Sequence, residues 1–290
     1  MTSTTSSLLP PRLCRFRTYG AAHAGGNDKR EVFDLLAGRI RFSRLKDFND
    51  PFEGRPCAVP AFSDAGSQRA AVLKFLSDFY RRTRGLSPTE ARKLSETNLR
   101  GKTQQEVVDL IGEQLIQTAS SEGLHICCLS DQTALSNPLP WSHYADRHRG
   151  VAIHFSTARA PFSFAFPVIY SQTYPEVIVP RTHQDPWEHV ERIFFTKSAL
   201  WAYEHEFRIM RVEWTDPERD PRAISLHVEW NGATAVAPGD AVVGITVGAK
   251  MEERDKANLI ARISTEFPHL EIWQARLHRT RYEITSDRVR

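Results

Sequence analysis

LHICCLSDQTALSNPLPWSHYADRHRGVAIHFS, residues 124–156, carries the alternation of elements from which the fold class follows. Leu124 to Ser130 is a short, nearly unbroken apolar run, the pattern of a strand buried on both faces. The segment from Asn137 to Gly150 predicts a helix that begins near Pro138 and ends at Gly150. Val151 to Ser156 is a second strand. Cys127 and Cys128 are neighbours on the first strand and point to opposite faces.

The same alternation continues in both directions. Upstream, LCRFRTY is a short strand with Arg15 and Arg17 on one shared face. AHAGGNDK is a loop, with Asn27 or Asp28 as the N-cap of a short helix, REVFDLLAG, closed by Gly38. IRFSRL is another strand. Downstream, FPVIYS, EFRIMRVEW and AISLHVEW have strand character, and HVERIFFTKSALWAYE has helical character. AVVGITVGA, KMEERDKANLIARISTEF and LEIWQARL give strand, helix, strand. Residues 65–122 differ: SQRAAVLKFLSDFYRRT has helical periodicity, and Ser87–Glu90 and Thr103–Glu106 are capping boxes that open two further helices. Strands dispersed among unequal helices predict an α+β fold: a mixed, mostly antiparallel central sheet with packed helices and a helical insertion at 65–122. Residues 1–11 are a disordered leader, and 12–290 form a single domain.

The bulk numbers restrict the function classes. The chain has 290 residues, 41% hydrophobic and 25% charged, with 38 basic and 35 acidic side chains and net charge +3. So small an excess gives no global field for nucleic acid or anionic membrane. No apolar run approaches the about 18 residues of a membrane span, and no signal peptide is evident, so a cytoplasmic location is expected. Cys14, Cys57, Cys127 and Cys128 lack metal-ligand spacing, and buried free thiols are expected. The arginine-rich end (Arg276, Arg279, Arg281, Arg288, Arg290) is read as a solvated strand edge or tail, with phosphate contact as the alternative. GITVGAK lacks the glycines and the Lys-Ser/Thr pair of a phosphate loop.

KSALWAYEHEFRIM, residues 197–210, holds the candidate chemistry. Glu204 and Glu206 flank His205 inside an apolar stretch. On a strand, i and i+2 carboxylates share a face, which suits acid/base work or stabilising a positive charge. If the helix ends near Tyr203, the pair lies at a helix-to-strand turn instead. The competing reading pairs Glu206 with Arg208, Arg211 or Lys197. On the predicted helix, His143 and Asp146 are three apart and one orients the other. Trp141, His143 and Tyr144 are candidates to line a pocket for a planar base. Asp47, Asp50 and Glu53 form an acidic turn, either self-capped or a divalent-metal site of a nuclease or hydrolase.

Several strings carry a resemblance when taken in order: FNDPFE (Phe48–Glu53), WSHYAD (Trp141–Asp146) and WAYEHEFR (Trp201–Arg208). Together they resemble a widespread bacterial domain-of-unknown-function family, number two-nine-seven-one, across most of 12–285. A second, more distant likeness is to ADP-ribosyltransferases: an arginine on the first strand (Arg15 or Arg17), a serine ending a middle strand (Ser130), and Glu-x-Glu opening a later one. This likeness implies NAD as co-substrate, with the arginine on its phosphate and Ser130 supporting the site. Glu206 would stabilise the ribose cation and Glu204 would orient a protein or nucleic-acid acceptor. A toxin or anti-phage defence component is then expected. Leu129-Ser130-Asp131-Gln132 departs from the usual serine motif of that family. A metal-dependent hydrolase and a non-enzymatic partner-binding domain remain the alternatives.

Overall fold

The computed structural model describes residues 9–20, 28–121, 123–180, 192–212 and 227–290, with backbone only at 28 and over 114–121. The proposed leader lies almost wholly outside these residues, as does Asn27. In chain order the elements begin β1 (Arg12–Arg17), α1 (Asp28–Leu36), β2 (Arg39–Arg41), β3 (Ser43–Arg44) and β4 (Cys57–Pro60). There follow α2 (Ala65–Arg84), α3 (Pro88–Leu99), α4 (Gln104–Ser121), β5 (Leu124–Asp131), α5 (Pro138–Tyr144), β6 (Val151–Ser156), β7 (Phe166–Pro167), β8 (Ile169–Ser171) and β9 (Glu176–Val179). Last come β10 (Thr196–Ser198), β11 (Glu206–Val212), β12 (Glu229–Asn231), β13 (Thr234–Val236), β14 (Val242–Val247), α6 (Glu253–Glu266), β15 (Glu271–Leu277) and β16 (Ile284–Arg288). The fold is α+β, with a large mixed, mostly antiparallel sheet. No helix among the described residues is long and apolar enough to cross a membrane.

The chain divides into two compact units: residues 1–48, 123–168 and 200–290, and residues 49–122 with 169–199. The first unit is built on a nine-stranded sheet in the order β16-β15-β14-β6-β1-β5-β11-β7, with β3 also on β5. Its parallel pair, β14 and β15, is the one joined through a helix, α6, as a parallel crossover requires. One sheet face packs Leu13, Leu129, Ile153, Phe155, Phe207 and Ile209 against Val32 and Leu36 of α1 and Leu259 and Ile263 of α6. The other face packs Cys14, Phe16 and Ala152 against Trp141 of α5. Trp141 is fully buried, meets the Phe16 ring edge-on at 5.1 Å, and donates its Nε1–H to the Leu135 carbonyl at 2.9 Å.

The α5 helix is shorter than its sequence predicts. It stops at Tyr144, and Asp146, Arg147 and His148 take φ of 45°, 54° and 72°. Three successive non-glycine residues in the left-handed region are unfavourable by themselves and persist only where packing holds them. Here the His148 N–H donates to the Trp141 carbonyl at 3.1 Å, and the His148 carbonyl accepts from Lys250 N–H at 2.9 Å. Asp146 is held by the Arg149 guanidinium through both oxygens, at 2.9 and 3.1 Å, and so does not orient His143 as expected. The region predicted as helix ahead of Glu204 also differs. Thr196–Ser198 is a strand and Ala199–Glu204 a 3-10 helix; residues 181–191 lie outside the described part.

In the second unit, α2, α3 and α4 occupy the expected stretch. Ser87 and Glu90 form the reciprocal capping box with Pro88 at the first helical position. Thr103 and Glu106 do the same for α4. Buried Gln68 ties α2 to this unit's strands, accepting from Phe62 N–H at 3.0 Å and donating to the Val179 carbonyl at 2.8 Å.

His154 on β6 supplies a pH prediction. Its ring is 4% exposed, with Nε2 2.7 Å from Thr246 Oγ1 and Nδ1 3.3 Å from Gln132 Nε2. Burial, then the Arg12 charge, pull its pKa from 6.5 to about 4, while Glu271 opposes. The unfolded chain therefore takes up a proton below pH 6.5 that the folded chain refuses. The contribution to stability is complete above pH 6.5 and is lost as the pH falls toward 4, by roughly 3 kcal/mol. Urea unfolding measured at pH 7 and pH 4.5 checks this: His154→Gln is expected to flatten the acid-side loss, and an unchanged slope contradicts it.

Candidate functional site

The site grows from one backbone feature. Glu204 ends the 3-10 helix, Glu206 opens β11, and His205 between them has φ 46°. The turn is held by His205 N–H to the Ala202 carbonyl (3.2 Å) and by Asp131 N–H to the His205 carbonyl (3.0 Å). The two carboxylates therefore do not share a strand face; they flank a helix-to-strand turn, the second of the two predicted arrangements. Both are buried, at 5% and 4% exposure.

Each carboxylate has a defined partner. Glu206 is bonded in two-pronged fashion by Arg208, Nε to Oε1 at 2.7 Å and Nη2 to Oε2 at 3.1 Å. Residues two apart on a strand share a face, so this pair follows from the pleat. Arg208 is fully buried, with Phe48 5.8 Å from its guanidinium. The pairing anticipated as the competing reading is thus present. Glu204 accepts a 2.5 Å hydrogen bond from the Tyr144 hydroxyl, which joins the 3-10 helix to α5. Both glutamates and Arg208 make further contacts beyond these.

A chain of aromatic rings runs on from Tyr144. His143 lies 6.1 Å from Tyr144 and 6.1 Å from Tyr203, and Tyr203 lies 6.0 Å from Trp201. His143 is exposed, and Tyr144, Trp201 and Tyr203 are half-buried. Tyr203 and Phe48 were not singled out from the sequence, although each lies within or beside a motif that was.

Strand register sorts the remaining candidates. Ser130 sits directly opposite Glu206 across β5 and β11, and opposite Cys14 across β5 and β1. Ser130, Glu206, Arg208 and Cys14 consequently share one face, the face covered by Trp141. Arg15 follows Cys14, so Arg15 and Arg17 project from the opposite face. There Arg15 Nη1 reaches the Arg41 carbonyl at 3.1 Å and Cys127 Sγ at 3.4 Å. The structure brings Ser130 and Glu206 together, and Glu204 with Tyr144; it does not bring Arg15 or Arg17 to the glutamates.

The acidic turn is capped by its own amides: Asp50, 6% exposed, accepts from Phe52 N–H at 2.9 Å, and its carbonyl accepts from Glu53 N–H at 3.2 Å. Among the described residues no group of three His, Cys, Asp or Glu could hold a metal ion. His148 is buried with Nε2 3.0 Å from Ser142 Oγ, and burial, then Lys250, hold its pKa below the usual value. None of the four cysteines is in a disulfide; Cys14 and Cys127 are buried as expected, whereas Cys57 is exposed.

No family model, curated protein or solved structure matches this chain.

Proposed function

We propose that the protein cleaves the N-glycosidic bond of an NAD-type pyridinium nucleotide, transferring the ribosyl group to an acceptor or to water. The observation that carries this reading is the direct cross-strand pairing of Ser130 with Glu206 beside the Tyr144–Glu204 hydrogen bond. As the C–N bond breaks, positive charge develops on the ribose, and a fixed carboxylate nearby stabilises that charge more than it stabilises the ground state. Arg208 fixes the Glu206 carboxylate in one orientation. Tyr144 does the same for Glu204, which would take the acceptor's proton. His143, Tyr203 and Trp201 offer ring faces for the departing nicotinamide. Arg15 and Arg17 have no part at this site.

The variant that tests it is Glu204→Gln, because glutamine keeps the acceptor for the Tyr144 hydroxyl while removing the charge. Nicotinamide release is expected to fall about a hundredfold, with the urea midpoint nearly unchanged. Equal rates in variant and parent sink the assignment of Glu204.

A second reading, a non-enzymatic partner-binding domain, is favoured by one observation: Glu206 already has a buried guanidinium counter-charge. On that reading, release is absent from the parent protein as well.

A further inference from the structure

The end of α5 sets a hydroxyl against an imidazole. Ser142 is exposed, and its Oγ lies 3.0 Å from Nε2 of His148. His148 is 9% exposed, and its Nδ1 is buried with no hydrogen-bond partner among the described residues. An unmatched buried polar atom is costly, and native proteins keep few of them. The backbone beneath it is costly too: Asp146, Arg147 and His148 all lie in the left-handed region. That strained turn is what brings the ring to the hydroxyl. On a continued helix, residue 148 would lie about 9 Å further along the axis than residue 142 and on another side of it. Instead the chain folds back until His148 N–H donates to the carbonyl of Trp141, the residue before Ser142.

The arrangement suits a nucleophile and its base. Ser142 faces solvent, so a substrate reaches it from outside. Burial, then Lys250, keep the imidazole neutral at pH 7. With the ring proton on Nδ1, the Nε2 lone pair accepts from the hydroxyl. Exposed Arg147 and Lys250 flank His148, the first in the chain and the second through its N–H on the His148 carbonyl at 2.9 Å; cations there favour a developing oxyanion. We infer that Ser142 and His148 form a serine–histidine dyad for acyl transfer, with Ser142 as nucleophile and His148 as general base, acting on activated acyl donors of the aryl ester or acyl phosphate class. Ser142 Oγ bonds to the acyl carbon, its proton passes to Nε2, and the leaving group departs as an anion with its electron pair. The imidazolium gives its proton to solvent. Water then attacks the acyl-serine, passing a proton through Nε2 to Oγ, and the carboxylic acid leaves. So weak a base, with no carboxylate on Nδ1, does not help an amine to leave, so the dyad takes activated esters and not amides. It shares no side chain with the glutamate site and does not rest on the N-glycosidic reading.

The test is incubation of the full chain with 4-nitrophenyl acetate, following nitrophenolate by absorbance and locating the acetyl group by peptide mass spectrometry. A burst of about one nitrophenolate per chain is expected, with the acetyl group on Ser142. Ser136, also exposed but with Oγ donating to the Thr133 carbonyl, should stay unlabelled. Ser142→Ala should abolish the burst at an unchanged urea midpoint. His148→Asn keeps a side chain that tolerates the left-handed backbone, and should slow acylation at least about a hundredfold. An acetyl group absent from Ser142 in the parent protein, or found on Lys250 alone, overturns the proposal, as does a burst unchanged in His148→Asn. Should His148→Asn unfold, labelling of the parent at Ser142 and not at Ser136 still decides. Nicotinamide release is read on separate variants, so the two ideas fail separately.

Discussion

Arg208→Met is expected to destabilise the protein by about 3–5 kcal/mol, and Glu206→Leu by a similar amount, while the double replacement recovers at least half of the loss. Arg208 is fully buried and Glu206 nearly so, and they meet in a two-pronged contact. Removing either partner leaves a buried ion in a low-dielectric interior stripped of this two-pronged contact. Removing both leaves apolar side chains that the surrounding face, lined by Phe48 and the β5 strand, can accommodate. Urea unfolding of the four proteins gives the coupling energy directly. Additive single losses would mean that the two side chains act independently. The same result bears on activity: a rate loss in a Glu206 variant is interpretable only beside its stability, which is why Glu204→Gln is the cleaner probe of chemistry.

Gly150→Ala is expected to cost more than about 4 kcal/mol or to abolish folding. A Cβ at Gly150 would lie 2.1 Å from the Arg17 carbonyl oxygen and 2.9 Å from the Ala145 Cα and carbonyl carbon. These are backbone atoms of β1 and of the residue that closes α5, so no side-chain rotation relieves the clash. The chain must pass this closely because Gly150 N–H donates to the Ala145 carbonyl at 2.7 Å while its carbonyl accepts from Gly248 N–H at 2.9 Å. Gly248 is hemmed in the same way, by the His148 carbonyl oxygen at 2.3 Å. The left-handed run Asp146–His148 is held between these contacts. Gly85→Ala, at an open left-handed cap with nothing within 4 Å, serves as the control and should cost only about 1 kcal/mol. Similar losses at the two positions would contradict the steric account.

These particulars mark where sequence reasoning succeeds. Apolar runs located β1, β5, β6, β14 and β15, and the Ser87 and Thr103 boxes located the starts of α3 and α4, because those signals are local. The end of α5 was not legible: Asp146, Arg147 and His148 contain no helix breaker, and their backbone is imposed by β1 and the β14–α6 loop. The strands β4, β9 and β13 escaped for want of a strong period, whereas β16 lies in the arginine-rich end read as a strand edge or tail. Glu204, Glu206, Ser130 and Tyr144 were all singled out, and the structure sets Ser130 opposite Glu206 and Tyr144 on Glu204; Arg208 was one of three partners considered for Glu206. The positive φ at His205 was not visible, so the glutamates could not be assigned to one face or two. Whether Arg15 faced the glutamates required the register Cys14↔Ser130↔Glu206 across three strands, which is non-local information.

The most direct measurement is nicotinamide release from NAD by the unmodified full chain with EDTA present, so that metal-dependent hydrolysis is silent. Release at a steady rate, lost in Glu204→Gln at equal stability, is the predicted result. No release from the folded parent protein would contradict the account and leave the buried Glu206–Arg208 pair as a purely structural device.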